Sequence, residues 1–247
     1  MNDHNILLSA ARDLYTLCEK RGSAVFSRFY DGGEQAVLTD NAVVLPEGCL
    51  FGGHERAERK ILGVFPDWEE PDIREFPIKL IKITNSFKNT FSHRDYLGSL
   101  MGLGIERDRI GDIIVADDGG YVFLHESVTE YVLANLKKIG SHGVKVSLVD
   151  GEDFEFPEPK FAIISVIAAS QRLDALVAAA ANISRSKAAS LIDHELVSIN
   201  HRPACDLSAR VAEGDLLSVR GFGRFLVDKI SGQTRSGRLH ISIKKYL

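Results

Sequence analysis

Residues 171–225 read QRLDALVAAAANISRSKAASLIDHELVSINHRPACDLSARVAEGDLLSVRGFGRF, and they decide how the last third of the chain folds. Leu173, Leu176, Val177 and Ala180 recur at i, i+3, i+4 and i+7, which predicts a helix with one apolar stripe. Ser184 is a favourable N-cap for a second helix over residues 185–194, burying Ala188, Ala189, Leu191 and Ile192. A short strand at Val197-Ser198-Ile199 runs into a turn at Asn200-His201-Arg202-Pro203. Glu213-Gly214-Asp215 makes a further turn into a strand over residues 216–219. The run Arg220-Gly221-Phe222-Gly223-Arg224-Phe225 then reads as a glycine-broken basic hairpin.

The cations of this stretch sit at exposed ends. Arg172 starts the first helix, where a cation opposes the helix dipole, and Asp174 in the first turn can offset it and hold a neighbouring arginine. Arg185 and Lys187 lie two residues apart, roughly 200° around a helix. They therefore form no stripe but can flank the helix N-terminus, whose free amides favour a phosphate. In the hairpin, two glycines let the backbone approach a ligand, two arginines can reach phosphates, and Phe222 can stack on a base. Phe225 is read as core, and Phe222 as either core or stacking residue. Any one of these cations alone is more readily read as a solvated surface residue than as an RNA contact.

Net charge is −4, but it is unevenly spread. Residues 1–169 hold 18 Lys and Arg against 27 Asp and Glu, whereas residues 170–247 hold 12 against 7, giving −9 and +5. A basic module on an acidic body has this signature, and so does chance clustering. With 45% hydrophobic and 26% charged residues the composition is that of a globular chain with an ample core. Cys18, Cys49 and Cys205 are scattered and odd in number, which argues for reduced thiols over disulfides or zinc. The start MNDHN is no signal peptide, and no apolar run approaches the roughly 20 residues that span a bilayer. A cytoplasmic, membrane-free protein is expected.

Outward from the basic stretch, an α+β architecture emerges. Residues 1–74 form a small N-terminal α/β segment. It opens with a helix on Ile6, Leu7, Ala10, Leu14 and Leu17, has a second helix over 34–44, and carries apolar runs at 49–51 and 61–65 around GGHERAERK (52–60). Residues 75–150 form a domain of strand 78–87, helix 92–103, strands 112–116 and 121–125 around Asp117-Asp118-Gly119-Gly120, helix 127–139 and strand 144–149. Ser127 with Glu130 makes a capping box, and Lys137-Lys138 fall in the last turn of that helix. The order βαββαβ is the split βαβ of a ferredoxin-like plait. Residues 151–169 are an acidic linker and a strand, and residues 170–247 are the basic module with its hairpin extension.

At this point a resemblance becomes specific. RLD, SRSKAxxLI, VxIN and GD stand, within residues 171–219, in the order and spacing of the small RNA-binding domain named for ribosomal small-subunit protein four, the S-four domain. RGFGR (220–224), GGxERAERK (52–60) and SHRDYLGSLMGLGIERDRIGDI (92–113) resemble the YlmH family of bacterial S-four-domain proteins. The resemblance implies binding of structured RNA through the helix pair and the adjoining loop, with Arg172, Ser184, Arg185, Lys187 and Asn200 on the RNA face. It also implies large ribosomal subunits that carry peptidyl-tRNA, and so ribosome rescue or quality control. Where many S-four domains have Asn-Gly, this chain has Asn200-His201. Asp174, Arg202, Arg220, Phe222 and Arg224 complete the candidate RNA-binding set. His93, Arg94 and Asp95 form a helix-start network or a second RNA contact. The expected partners are rRNA, tRNA and the large subunit. A monomer is expected, with no metal, no cofactor and no catalytic residue.

Other chemistries fit poorly. His93-Arg94-Asp95 matches the HRD of a protein-kinase catalytic loop, but Leu100 stands where that loop needs asparagine. Gly102-Leu103-Gly104 ends a helix and joins no strand to one, so it is not a dinucleotide fingerprint. Gly52-Gly53 lacks the lysine of a P-loop, and His54, Glu55 and Glu58 are a weak metal set. A pseudouridine synthase needs an aspartate where Ser236-Gly237-Arg238-Leu239-His240 has histidine. The alternatives carried forward are an RNA-modifying enzyme with an unrecognised site in residues 1–150 and an interaction protein linked to cell division.

Overall fold

The structure, a computed structural model, describes residues 3–41, 49–85, 91–149, 161–233 and 238–246. The chain is α+β and divides into two compact units, Met1–Pro157 and Glu158–Leu247.

The first unit opens with α1 (Asp3–Arg21), β1 (Val25–Tyr30), α2 (Gly32–Asp40), β2 (Leu50–Phe51) and β3 (Lys60–Val64). The strands form an antiparallel sheet in the order β1-β3-β2. α1 keeps Leu7, Leu14 and Leu17 of the expected stripe against its core and adds Ala11 and Cys18. Leu7, Ala11 and Cys18 are buried, whereas Ile6 is 54% exposed. The small side chains of Ala11 and Cys18 suit close packing in the core they share with Val25, Leu62 and Val64. Strand β1 was not anticipated. A register shift between Phe26 and Phe29 breaks its alternation, and periodicity cannot see past such a bulge. α2 starts two residues earlier than expected because Asp31 accepts from Glu34 N–H while the Glu34 side chain accepts from Asp31 N–H, a full capping box. Residues 42–44 of the expected helix lie outside the described residues.

The plait follows as β4 (Ile78–Asn85), α3 (His93–Gly102), β5 (Ile110–Ala116), β6 (Gly119–His125), α4 (Glu126–Asn135), β7 (Lys138–Ile139) and β8 (His142–Val149). Its sheet runs β5-β6-β4-β8-β7, antiparallel throughout. That is the strand order of the split βαβ. Ala116 pairs with Gly119, so the hairpin loop is Asp117-Asp118 alone. The last helix departs from expectation at both ends. Its cap is His125, whose imidazole accepts from Ser127 N–H, and not Ser127 itself. The chain leaves the helix at Leu136, where ψ is 94°, and Lys138-Ile139 pair back onto Gly143 and His142 as strand. Gly140, at φ +58°, supplies the tight turn. Residues 86–87 of the expected strand and the linker at 150–160 lie outside the described residues.

One face of the plait sheet packs α3 and α4 around Ile81, Ile83, Val122, Leu124 and Val132. The other joins the small N-terminal sheet through an aromatic layer of Phe29, Ile61, Phe76, Leu80, Tyr121 and Phe123. The stretch GGHERAERK belongs to this junction. Gly53, at φ +98°, faces the Phe123 ring so closely that an added Cβ would lie 2.3 Å from it. Asp112 accepts from the backbone N–H of Glu58 at 2.8 Å and of Arg59 at 3.0 Å, and His54 Nε2 lies 3.3 Å away. Arg59 donates to the carbonyl of Ile110 at 3.0 Å and Arg107 to the same oxygen at 2.5 Å. Burial, with the neighbouring Arg59 adding to it, pulls Arg107 down to about 10.

Among the described residues the second unit is one six-stranded sheet with two helices on one face. β9 (Phe161–Ala168) precedes α5 (Leu173–Ala180), α6 (Arg185–Asp193), β10 (Val197–Ile199), β11 (Arg202–Pro203), β12 (Leu216–Val219), β13 (Gly223–Gln233) and β14 (Leu239–Tyr246). The sheet order is β11-β10-β12-β13-β14-β9, and β9 pairs with β14 over all eight of its residues. Leu173, Leu176, Val177 and Ala180 of α5 and Ala188, Leu191 and Ile192 of α6 are buried in one core with Val197, Leu217, Phe225, Val227 and Ile243.

Candidate nucleic-acid interface

The N-terminal ends of α5 and α6 lie together, and one carboxylate holds them there. Asp174 is only 8% exposed. Its Oδ1 accepts from Arg172 Nε at 3.1 Å and its Oδ2 from Arg185 at 2.8 Å. Burial alone would raise the Asp174 carboxyl, but bonds from Arg172 and Arg185 outweigh it and hold it below the usual carboxylate range. Both guanidiniums stay in reach of solvent, with side chains 43% and 63% exposed. Two cations against one anion leave this group at +1, in fixed geometry.

The surroundings add to that charge. Ser184 caps α6 by accepting from Lys187 N–H at 3.2 Å, and Lys187 is exposed in the same first turn. Residue reading missed Arg210, an exposed side chain whose backbone bridges to that of Arg172 and whose Nε donates to Gln171 at 2.7 Å. The only signal for it was a cation at a distance in sequence that α5 gives no reason to close. Arg172, Asp174, Ser184, Arg185 and Lys187 thus come together, with Arg210 beside them.

The remaining candidates fall elsewhere. Asn200 and His201 form the two-residue turn between β10 and β11, both at positive φ, 48° and 68°. The Asn200 amide donates to Asp215 Oδ1 at 2.8 Å and accepts from Leu216 N–H at 2.9 Å, so both its ends bind the protein. VxIN and GD therefore meet as one clamp. Arg202 is exposed on the edge strand. Arg220 is exposed at the hairpin loop, where its N–H donates to the Leu196 carbonyl at 2.9 Å, just past the C-terminal end of α6. That is a helix length from Arg185, about 12 Å along the axis. Phe222 is half-buried against the core. Gly221 and Gly223 have φ +85° and +112° with open space or one lysine methylene near an added Cβ, so they serve the turn itself.

Arg224 lies on the other side of the sheet. It pairs with Ser218, while its neighbour Phe225 points into the helix-covered core. Its guanidinium stacks on Tyr246 at 4.7 Å, and Tyr246 meets Phe161 edge-on at 4.9 Å. The expected single surface is thus divided between two faces of one sheet.

In the plait, Asp95 closes a capping box with Ser92 at the start of α3, accepting from Ser92 N–H at 2.8 Å and Ser92 Oγ at 2.7 Å. Those bonds hold its carboxyl below the usual range. The helix-start role therefore takes Asp95, while His93 and Arg94 are exposed beside it.

Two family models match this chain. One, described as "Putative RNA-binding domain in YlmH", covers residues 71–153, and the S4 domain covers residues 171–217. The chain is 30% identical over 245 residues to the ribosome-associated protein quality control protein P2 of Bacillus subtilis (strain 168), which spans 98% of this chain and 95% of that one. A solved structure of the cell division protein ylmH from Streptococcus pneumoniae aligns at a TM-score of 0.51 and 21% identity, over 63% of this chain and 96% of that one. At that identity the likeness is one of fold.

Proposed function

The chain belongs to the YlmH family of S4-domain RNA-binding proteins, and on that premise we propose that it binds the large ribosomal subunit carrying peptidyl-tRNA. It acts there in rescue or quality control of stalled translation, as a cytoplasmic monomer, and performs no chemistry on the RNA. The observation that carries this reading is the pair of guanidiniums held by Asp174 beside the start of α6, within the matched S4 residues. A carboxylate that fixes two arginines removes the rotamer entropy that each would otherwise lose on binding a phosphate. The ribosomal role is supported by the printed name of the Bacillus subtilis relative, whose similarity extends over nearly the whole chain.

Phosphate contacts of this kind make affinity fall with salt. About four cations at the α5–α6 face give a log–log slope on the order of −3 to −4. The test is binding of the full chain to purified large subunits, with and without peptidyl-tRNA. Tighter binding to the loaded subunit supports the reading, and equal binding to both removes the tRNA from it.

A further inference from the structure

We propose that the plait makes a second, independent contact with the phosphate backbone of folded RNA, through the basic end formed by Arg94 and the β7–β8 hairpin. This inference rests on the RNA-binding reading above and names a different surface for it.

The usual way for a sheet of this topology to take RNA is closed off. Plaits that bind single strands stack bases on aromatic residues of the open sheet face. Here the aromatic residues of that face, Tyr121 and Phe123, are 6% and 3% exposed beneath the N-terminal sheet. Contact must come from the rim.

One end of the rim carries more cations than anions, with Asp95 and the Asp117-Asp118 turn lying there beside them. β4 ends where β8 begins, with Asn85 paired to Val144. α3 starts and α4 finishes at this same end, and β7 packs against α3. The Phe91 ring, just before α3, meets the His142 ring of the hairpin at 5.8 Å. This topology gathers Arg94, Lys137, Lys138, His142 and Lys145 from three segments. Arg94 and the three lysines are exposed. Lys138 pairs with Gly143, so its side chain shares a face with that of Lys145, two residues along β8, about 7 Å away along the strand.

The three lysines are also uncommitted, whereas Arg94 has Asp95 beside it. Lys82, on the same sheet, is neutralised by Asp118. Among the described residues Lys137, Lys138 and Lys145 pair with no carboxylate. Residues 1–169 carry −9 as a whole, so a cluster of cations at one end stands against its background. A positive patch on an acidic body orients a polyanion toward that end and repels it elsewhere.

The test uses the full chain with deproteinised large-subunit rRNA as probe, titrated across salt. Lys137→Ala/Lys138→Ala/Lys145→Ala is expected to lose about tenfold or more in affinity and to make the log–log slope shallower by about 2. Replacing the same three lysines with arginine restores both. Arg185→Ala/Lys187→Ala is measured beside them. If the lysine-to-alanine variant binds as the wild type does while the α6 variant is weakened, this contact is overturned and the S4 reading stands. If the wild type binds intact subunits but not bare rRNA, the basic end faces ribosomal protein, and the proposal fails.

Discussion

Asp174 Oδ2 accepts a 2.8 Å hydrogen bond from Arg185, eleven residues further along the chain, while Arg172 holds the other oxygen of the same carboxylate. A buried acid thereby ties the starts of two helices and aims two guanidiniums outward. The two partners should respond differently to mutation. Arg185→Ala leaves Asp174 bonded to Arg172 and to Ala175 N–H, so it should cost no more than about 1 kcal/mol of stability. Asp174→Ala releases both arginines and should cost about 1–3 kcal/mol. Both variants should bind RNA more weakly. Denaturant titration of each variant checks the ranking, and equal stability losses would contradict it.

The His201 turn predicts a gain. Its φ of 68° is a conformation that glycine adopts without cost, and a two-residue turn with both φ positive favours Asn-Gly. His201→Gly should stabilise the second unit by about 1 kcal/mol, read as a higher melting temperature. Unchanged or lower stability would mean that the histidine makes a compensating contact.

The α4 cap predicts a pH dependence. Neutral His125 Nδ1 accepts from Ser127 N–H at 3.2 Å, and burial first, then Arg109, pushes the imidazole below its ordinary value. Because the folded value is lowered, the unfolded chain takes up the proton more readily. The stabilisation is therefore complete above about 6.5 and is lost as pH falls below it. His125→Asn retains a capping acceptor without the titration. Between pH 7.5 and 5.0 it should lose less stability than the wild type, measured by urea unfolding at both values.

The aromatic junction predicts a steric failure. Gly53→Ala places a methyl group 2.3 Å from Phe123 at a φ of +98°. It should destabilise the first unit by about 2 kcal/mol or more, seen in thermal melts. A melt like that of the wild type would show that the junction is looser than its geometry implies.

Much of this was legible in the residues. The plait was readable because Asp117-Asp118-Gly119 marks its hairpin between two apolar runs. The α5 stripe and the Ser184 cap were equally local signals. What escaped was long-range. Strand β1 carries a bulge that spoils its period. Lys138 has helical neighbours in sequence but a strand partner in space. Asp174 reaching Arg185 was only half visible, since sequence offered the arginine beside it and not the one on the next helix. Arg224 and Arg185 look alike as cations in one basic tract. Pairing of β12 with β13 sends them to opposite faces, because side chains alternate along a strand. The resemblance put Asn200 on the RNA face, and its bond to Asp215, fifteen residues away, had no local signal.

The account turns on whether the α5–α6 face carries the RNA. The most direct measurement is the salt dependence of binding to large ribosomal subunits for the wild type and for Arg185→Ala/Lys187→Ala. Loss of two phosphate contacts should make the log–log slope shallower by roughly 1.5 to 2 and weaken binding at every salt concentration. An unchanged slope, with the double variant folded and binding as tightly as the wild type, would contradict it.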